Sequence, residues 1–197
     1  MLGLFMAYVL ATVLEIVIMM IINRRESELK MKLKLYGVCL VLGNLLLLGV
    51  ALYKQVQSGI AGWWYFGLFT YLLCLTIYDL KFRELPDWWH LVLPVFYATA
   101  WLSGKQPVGL WNSGIIVLIY ALVFGLIMLI RKDALGVGDM KLLLLCGVYA
   151  GSASVGIMIR GMILAFFLSI ALLLFKKVTP KSGLPFVPFL LLGALLI

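Results

Sequence analysis

GLWNSGIIVLIYALVFGLIMLI, residues 109–130, runs for 22 residues without a charged side chain and ends on Arg131-Lys132-Asp133. A hydrocarbon core ~30 Å thick takes about 20 helical residues to cross, so this stretch reads as a membrane span with a charged flank. The pattern repeats on both sides of it. Further apolar runs occupy Leu2–Ile22, Leu33–Tyr53, Ile60–Tyr78, Trp88–Ser103, Met140–Gly151, Val155–Phe175 and Leu184–Ile197. Counted along the chain, the fourth, sixth and eighth are short. The expectation is an all-α integral membrane protein, a polytopic bundle of about eight transmembrane helices.

Composition points the same way. Hydrophobic residues make up 65% of the 197, against roughly 45–50% in soluble domains, and a single core of this size cannot bury the excess. No Ser/Pro-rich or charged linker divides the chain, so residues 1–197 read as one domain. The net charge of +8 is not gathered on a soluble face. It sits in short gaps between apolar runs, which argues against nucleic-acid binding and for the positive-inside rule.

That rule sets an orientation. With the N-terminus outside, the cytoplasmic loops and flanks hold Arg24, Arg25, Lys30, Lys32, Lys34, Lys81, Arg83, Arg131, Lys132, Lys141, Lys176, Lys177 and Lys181, which is 13 of the 16 basic residues. Leu2–Ile22 has its charges behind it at Asn23-Arg24-Arg25, so it reads as a retained span and not a cleaved signal. Lys141 and Lys176 both belong inside, so the chain between them must cross twice, turning at Gly151-Ser152-Ala153-Ser154.

Cys39, Cys74 and Cys146 all lie inside apolar runs and form no C-x-x-C, so they read as packing residues, with no metal site implied. The chemistry resides in the acids. Asp79 ends the third span and Asp139 opens the sixth, within Gly136-Val137-Gly138-Asp139-Met140-Lys141. On the charge-derived topology both sit at the cytoplasmic edge. Two carboxyls facing one another across a partly dry cleft share a proton, which makes one a base and the other an acid at the same pH. Such a pair activates water against a peptide carbonyl without metal or covalent intermediate. The competing reading makes Asp139 an N-cap and Asp79 a solvated helix end. Gly136 and Gly138 allow unusual backbone or close approach, and Gly147 with Gly151 suggests a small-residue seam for helix contact.

G-x-G-D-x-K opening a helix resembles the signature of the type IV prepilin peptidases, a branch of the GxGD intramembrane aspartyl proteases. Two further segments are similar to family elements: Asp79 through Pro86-Asp87, where an Asp begins a loop that reaches Pro-Asp, and Pro185-Phe186-Val187-Pro188-Phe189. The resemblance covers roughly residues 60–197. It implies an endopeptidase that cuts a short basic leader from type IV pilin-like precursors, for a pilus or secretion system, at the cytoplasmic face of a prokaryotic plasma membrane. It implies Asp79 and Asp139 as the catalytic pair, with Gly136, Gly138, Lys141 and Pro86 as motif positions and no cofactor. One departure stands out. Many members carry a cytoplasmic insert with two C-x-x-C pairs and also N-methylate the product, whereas here the segment Asn23–Lys34 is short and has no cysteine. Methyltransferase activity is therefore not expected.

The remaining polar residues divide between function and packing. Glu15, deep in the first span, reads as a functional candidate or as a protonated side chain bonded to a neighbouring helix. Lys141 and Arg160 read as side chains snorkelling to headgroups. His90 has no second histidine or cysteine to make a metal site. Glu84 and Asp87 either attract a basic leader or balance Lys81 and Arg83 in solvent, while the basic face as a whole favours anionic lipid. Two rival readings remain. A presenilin-like or signal-peptide-peptidase-like protease would carry a Pro-Ala-Leu element, absent here. A small transporter or assembly subunit would use both aspartates as structural caps.

Overall fold

The computed structural model describes residues 42–53, 56, 62–83, 85, 87–102, 108–130, 136–175 and 184–196. All regular structure among them is helical. The chain forms two compact units, residues 1–74 and 75–197.

In the first unit, helix α1 (Leu42–Tyr53) meets the N-terminal part of α2 (Gly62–Phe82). Gly43 lets Leu73 approach, since a Cβ there would lie 2.9 Å from a Leu73 methyl. Beside this contact the buried Thr70 hydroxyl donates to Asn44 Oδ1 at 3.1 Å. A polar pair of this kind joins two apolar helices more specifically than packing alone.

The second unit begins with the last turns of α2. A 3₁₀ turn, Asp87–Leu91, leads into α3 (Val92–Leu102). The sequence suggested one continuous span from Trp88. Pro94 is the reason for the break: its ring collides with the carbonyl four residues back in a regular helix, so it is tolerated only in the first turn. Helices α4 (Leu110–Ile130), α5 (Val137–Ala150), α6 (Ala153–Leu174) and α7 (Val187–Leu195) follow. Helix α5 packs against α3, α4 and α6, and α7 packs against α6.

Burial separates these helices by role. On α4 only Ser113, Tyr120 and Phe124 are buried, while Leu118, Leu122, Leu126 and Leu129 are exposed. Helix α6 likewise exposes Ile163, Phe166, Phe167, Ile170 and Leu174. These two helices, of 21 and 22 residues with mean hydropathies of 2.8 and 2.5, are long and apolar enough to cross a membrane. Apolar faces of that extent are out of place in water and suit lipid. Helix α5 inverts the pattern, with Leu142, Leu143, Cys146, Gly147, Tyr149 and Ala150 all buried. At 14 and 9 residues, α5 and α7 rise only ~21 and ~14 Å, too little to cross a bilayer unaided.

The turn between α5 and α6 falls where the charges required it. Gly151 has φ +52°, and its N–H donates to the Gly147 carbonyl at 2.9 Å. It is therefore a turn glycine, and it is also part of the expected packing seam, since a Cβ there would lie 2.8 Å from Asn112 Oδ1 and would run into Val108. Gly147 continues the seam one turn earlier, where a Cβ would lie 3.3 Å from both Ile116 and the Tyr120 ring. Around the turn the Ser154 hydroxyl donates to the Gly151 carbonyl at 2.6 Å and pairs with Tyr120 at 3.1 Å. The Ser152 N–H donates to Asn112 Oδ1 at 2.9 Å, and the Ser113 hydroxyl to the Val148 carbonyl at 2.8 Å. These bonds tie three helices together at one end.

Among the glycines of the described residues, the tightest approach to main chain lies between α6 and α7. A Cβ on Gly193 would run into the Ile157 carbonyl, and one on Gly161 would lie 2.9 Å from the Phe189 carbonyl oxygen. Both obstacles are main chain and cannot rotate away. Gly193→Leu is expected to lower the thermal midpoint of the detergent-solubilised protein, by the ~1–3 kcal/mol typical of overpacking. Gly114→Ala, where no atom lies within 4 Å, is the control and should leave the midpoint in place.

Candidate functional site

Asp79 sits in the last turn of α2, just beyond the apolar stretch 60–78, and is 6% exposed. One turn later α2 ends on Arg83, whose φ of +53° is left-handed. The Arg83 N–H returns to the Asp79 carbonyl at 2.9 Å, closing the helix in the manner usually given to glycine. A side chain in that conformation costs about 1–3 kcal/mol. The strain lies one turn from the carboxyl.

The Asp79 side chain reaches the N-terminus of α7, where its Oδ2 accepts the Val187 N–H at 3.1 Å across 108 residues of sequence. The first turn of α7 explains why. Phe186, at the N-cap, offers no capping side chain. Pro188 has no N–H to satisfy, and the Phe189 and Leu190 N–H groups bond to the Phe186 carbonyl. The Val187 amide is left needing an acceptor, and Asp79 supplies it from another helix. The Phe186 amide adds to the same field.

Asp139 is the third residue of α5, before the apolar stretch 140–151. The N-cap is Gly136, with no side-chain capping bond, so the N-cap reading of Asp139 does not hold. Both motif glycines have steric reasons. A Cβ on Gly136 would lie 3.1 Å from Asp139 Oδ2, and one on Gly138 would lie 3.1 Å from Leu85 Cβ. Gly136 leaves space for the carboxyl, and Gly138 lets the segment after α2 close over α5.

Asp79 and Asp139 line one cavity of about 470 Å³, with Arg83, the apolar walls Leu85, Leu184, Pro185 and Phe186, and a floor of Gly136 and Gly138. Burial, and then the neighbouring Asp79 charge, push Asp139 up to about 6. Burial also raises Asp79, against the opposing pull of the Val187 and Phe186 amides and of Arg83. Two neighbouring carboxyls that both hold their protons above the ordinary carboxylate range titrate as a coupled pair. Such a group can take a proton from water and give one to a carbonyl.

The other candidates fall elsewhere. Lys141 does not reach for headgroups: its ammonium pairs with Asp87 at 2.6 Å, and Lys141 holds Asp87 below the usual carboxylate range. It lies two residues past Asp139 and so points away from the pair, towards the 3₁₀ turn. Asp87 is 80% exposed in this ion pair, which leaves it screened by solvent and weak. Arg160 folds its guanidinium back over Gly156 on its own helix. Glu15, Glu84, Pro86 and the Asn23–Lys34 segment lie outside the described residues. Three contributors escaped the sequence reading: the Val187 amide, Arg83 in its left-handed conformation, and the Leu85–Leu184 wall. The Pro-Phe-x-Pro-Phe run was visible, but main-chain donors carry no sequence signal.

Comparison with curated proteins and with solved structures gave no significant match. A family model gave one: the type IV leader peptidase family matches residues 66–176, a segment that holds Asp79, the loop after it and Gly136 through Lys141. The match takes in more than half of the chain and both carboxyls of the cavity, and the chain belongs to the type IV leader peptidase family.

Proposed function

We propose that the chain is a membrane-embedded aspartyl endopeptidase that removes the short basic leader from type IV pilin-like precursors at the cytoplasmic membrane face. Asp79 and Asp139 are its catalytic pair. The observation that carries this reading is their common cavity: two carboxyls 60 residues apart in sequence line one space, and the Asp79 charge helps to raise Asp139. Water held between them loses a proton to the ionised carboxyl and adds to the scissile carbonyl carbon. The protonated carboxyl gives its proton to the carbonyl oxygen. Collapse of the resulting gem-diol returns a proton to the second carboxyl, while the first protonates the departing amine and the C–N bond breaks. Both carboxyls end in their starting states, and no metal or covalent intermediate is needed.

The charge distribution supports the rest of the proposal. Thirteen of the 16 basic residues fall on one side of an outside-N-terminus topology of about eight spans, with Asp79 and Asp139 at the edge of that same side. A precursor cut there, just before its hydrophobic helix, would meet the cavity while anchored in the plasma membrane. The apolar wall of Leu85, Leu184 and Phe186 suits an extended peptide backbone. Anionic lipid is the natural partner of the basic face. In the transporter or assembly-subunit alternative the two aspartates are structural caps with no reason to share a cavity.

Asp79→Asn or Asp139→Asn, in protein shown to insert and fold, should each reduce cleavage of a pilin-like precursor by at least ~10²–10⁴-fold. Lys141→Met should retain turnover, because it breaks only a solvent-exposed pair. Normal cleavage by folded Asp139→Asn would leave the transporter or assembly reading in the lead. The pH profile of kcat/KM is the second check. Because Asp139 is raised, the pair keeps its working proton below about pH 6 and loses it as pH rises through that value. Activity should therefore fall on that alkaline limb, and a rate climbing steadily from pH 6 to 8 would contradict the shared-proton pair. Finally, cleavage in the presence of a methyl donor should yield an unmodified new N-terminus by mass spectrometry, since Asn23–Lys34 is short and cysteine-free. Stoichiometric methylation would refute this.

A further inference from the structure

We propose that the N-terminus of α7 breaks the symmetry of the aspartate pair: Asp79 is the ionised member that takes a proton from water, and Asp139 carries the shared proton and acts as the acid. This rests on the peptidase reading and adds a separate role for each carboxyl, with the Val187 main chain as the positioning group.

Helix dipoles do not make the distinction. Asp79 faces the N-terminus of α7, and Asp139 lies in the first turn of α5, so each sits where a helix favours negative charge. Direct donors make it. The Val187 N–H bonds to Asp79 Oδ2 at 3.1 Å in a buried setting. An amide N–H only donates, and its bond to an ionised acceptor is roughly twice as strong as one to a neutral group. Pro188 and the internal bonds of Phe189 and Leu190 leave Val187 no other use in that turn. Among the described residues no such donor is placed on Asp139. Its own helix amides are not turned to it, and the Met140 N–H goes to the Gly136 carbonyl at 3.1 Å.

The charged groups around the pair agree. Arg83 lines the cavity on the side of Asp79 and favours its ionised form. Lys141, the nearest cation on α5, is engaged by Asp87 and leaves Asp139 without a counter-charge from its own helix. Asp139 then meets only burial and the negative charge of Asp79, both of which hold its proton in place.

The order of events follows. Asp79 carboxylate accepts a proton from water as the oxygen adds to the carbonyl carbon, and Asp139 protonates the carbonyl oxygen. Asp79 then protonates the amine as the C–N bond breaks, and Asp139 recovers its proton from the gem-diol.

Carbon NMR of the full-length protein in nanodiscs, with aspartate labelled at the side-chain carboxyl, tests this without relying on turnover. The carboxyl left in Asp79→Asn, which is Asp139, should hold its proton to a higher pH than the carboxyl left in Asp139→Asn. Replacing the Val187 amide by an ester, through the hydroxy-acid analogue of valine, removes the donor and keeps the side chain. In the Asp139→Asn background it should raise the Asp79 midpoint by about one pH unit, and in the Asp79→Asn background it should leave Asp139 where it was. A reversed order in the two single variants overturns the proposal, as does an ester that fails to move Asp79. Should the ester protein not fold, the order in the single variants decides alone. Wild-type cleavage is measured beside the titrations. Cleavage with the reversed order removes this assignment and spares the peptidase reading, whereas the predicted order without cleavage does the opposite.

Discussion

One main-chain hydrogen bond, from the Val187 N–H to the Asp79 carboxyl, organises the candidate site. It satisfies an amide that the first turn of α7 cannot use, and it does so with a carboxyl whose burial would otherwise be costly. Neither group is well placed alone. A buried Asp without donors would simply keep its proton, and a helix start capped by Phe186 would lack an acceptor. Their pairing fixes the end of α2 against the start of α7, and the cavity opens beside that junction.

The rest of the second unit serves to keep this junction in place. Helix α7 is only 9 residues long and is held by backbone contact with α6 at Gly161 and Gly193. Helix α6 is hinged to α5 by the left-handed Gly151 and the serine bonds around it. Helix α5 in turn presents Asp139, with Gly136 and Gly138 keeping space open for its carboxyl and for Leu85. The glycines therefore act at separate points along one mechanical path from the lipid-suited helices α4 and α6 to the carboxyl pair. The strained Arg83 belongs to the same path, because ending α2 there prevents the helix from continuing past the cavity.

Much of this could be read from the chain. Charge placement located the turn at Gly151–Ser154, and Gly-x-Gly-Asp with Asp79 identified the two carboxyls that come to line one cavity. Patterns of residue type were enough for that, because apolar length and charge position are properties of single segments. Pairings across long separations were not legible. Lys141 finds Asp87 54 residues away, where the sequence suggested headgroups. The shortness of α5 and α7, by contrast, was already visible in the short apolar runs 140–151 and 184–197. The Val187 amide lay furthest from view, since every residue but proline has one.

If Asp79 and Asp139 work as a single proton-sharing unit, a double-mutant cycle on peptide cleavage will report it. The quantity to measure is kcat/KM for the wild type, Asp79→Asn, Asp139→Asn and the double variant, each verified as folded. Groups that act as one unit are strongly non-additive, so the double variant is expected to be no slower than the worse single variant. Losses that multiply would contradict it, for they would mean that the two carboxyls contribute independently.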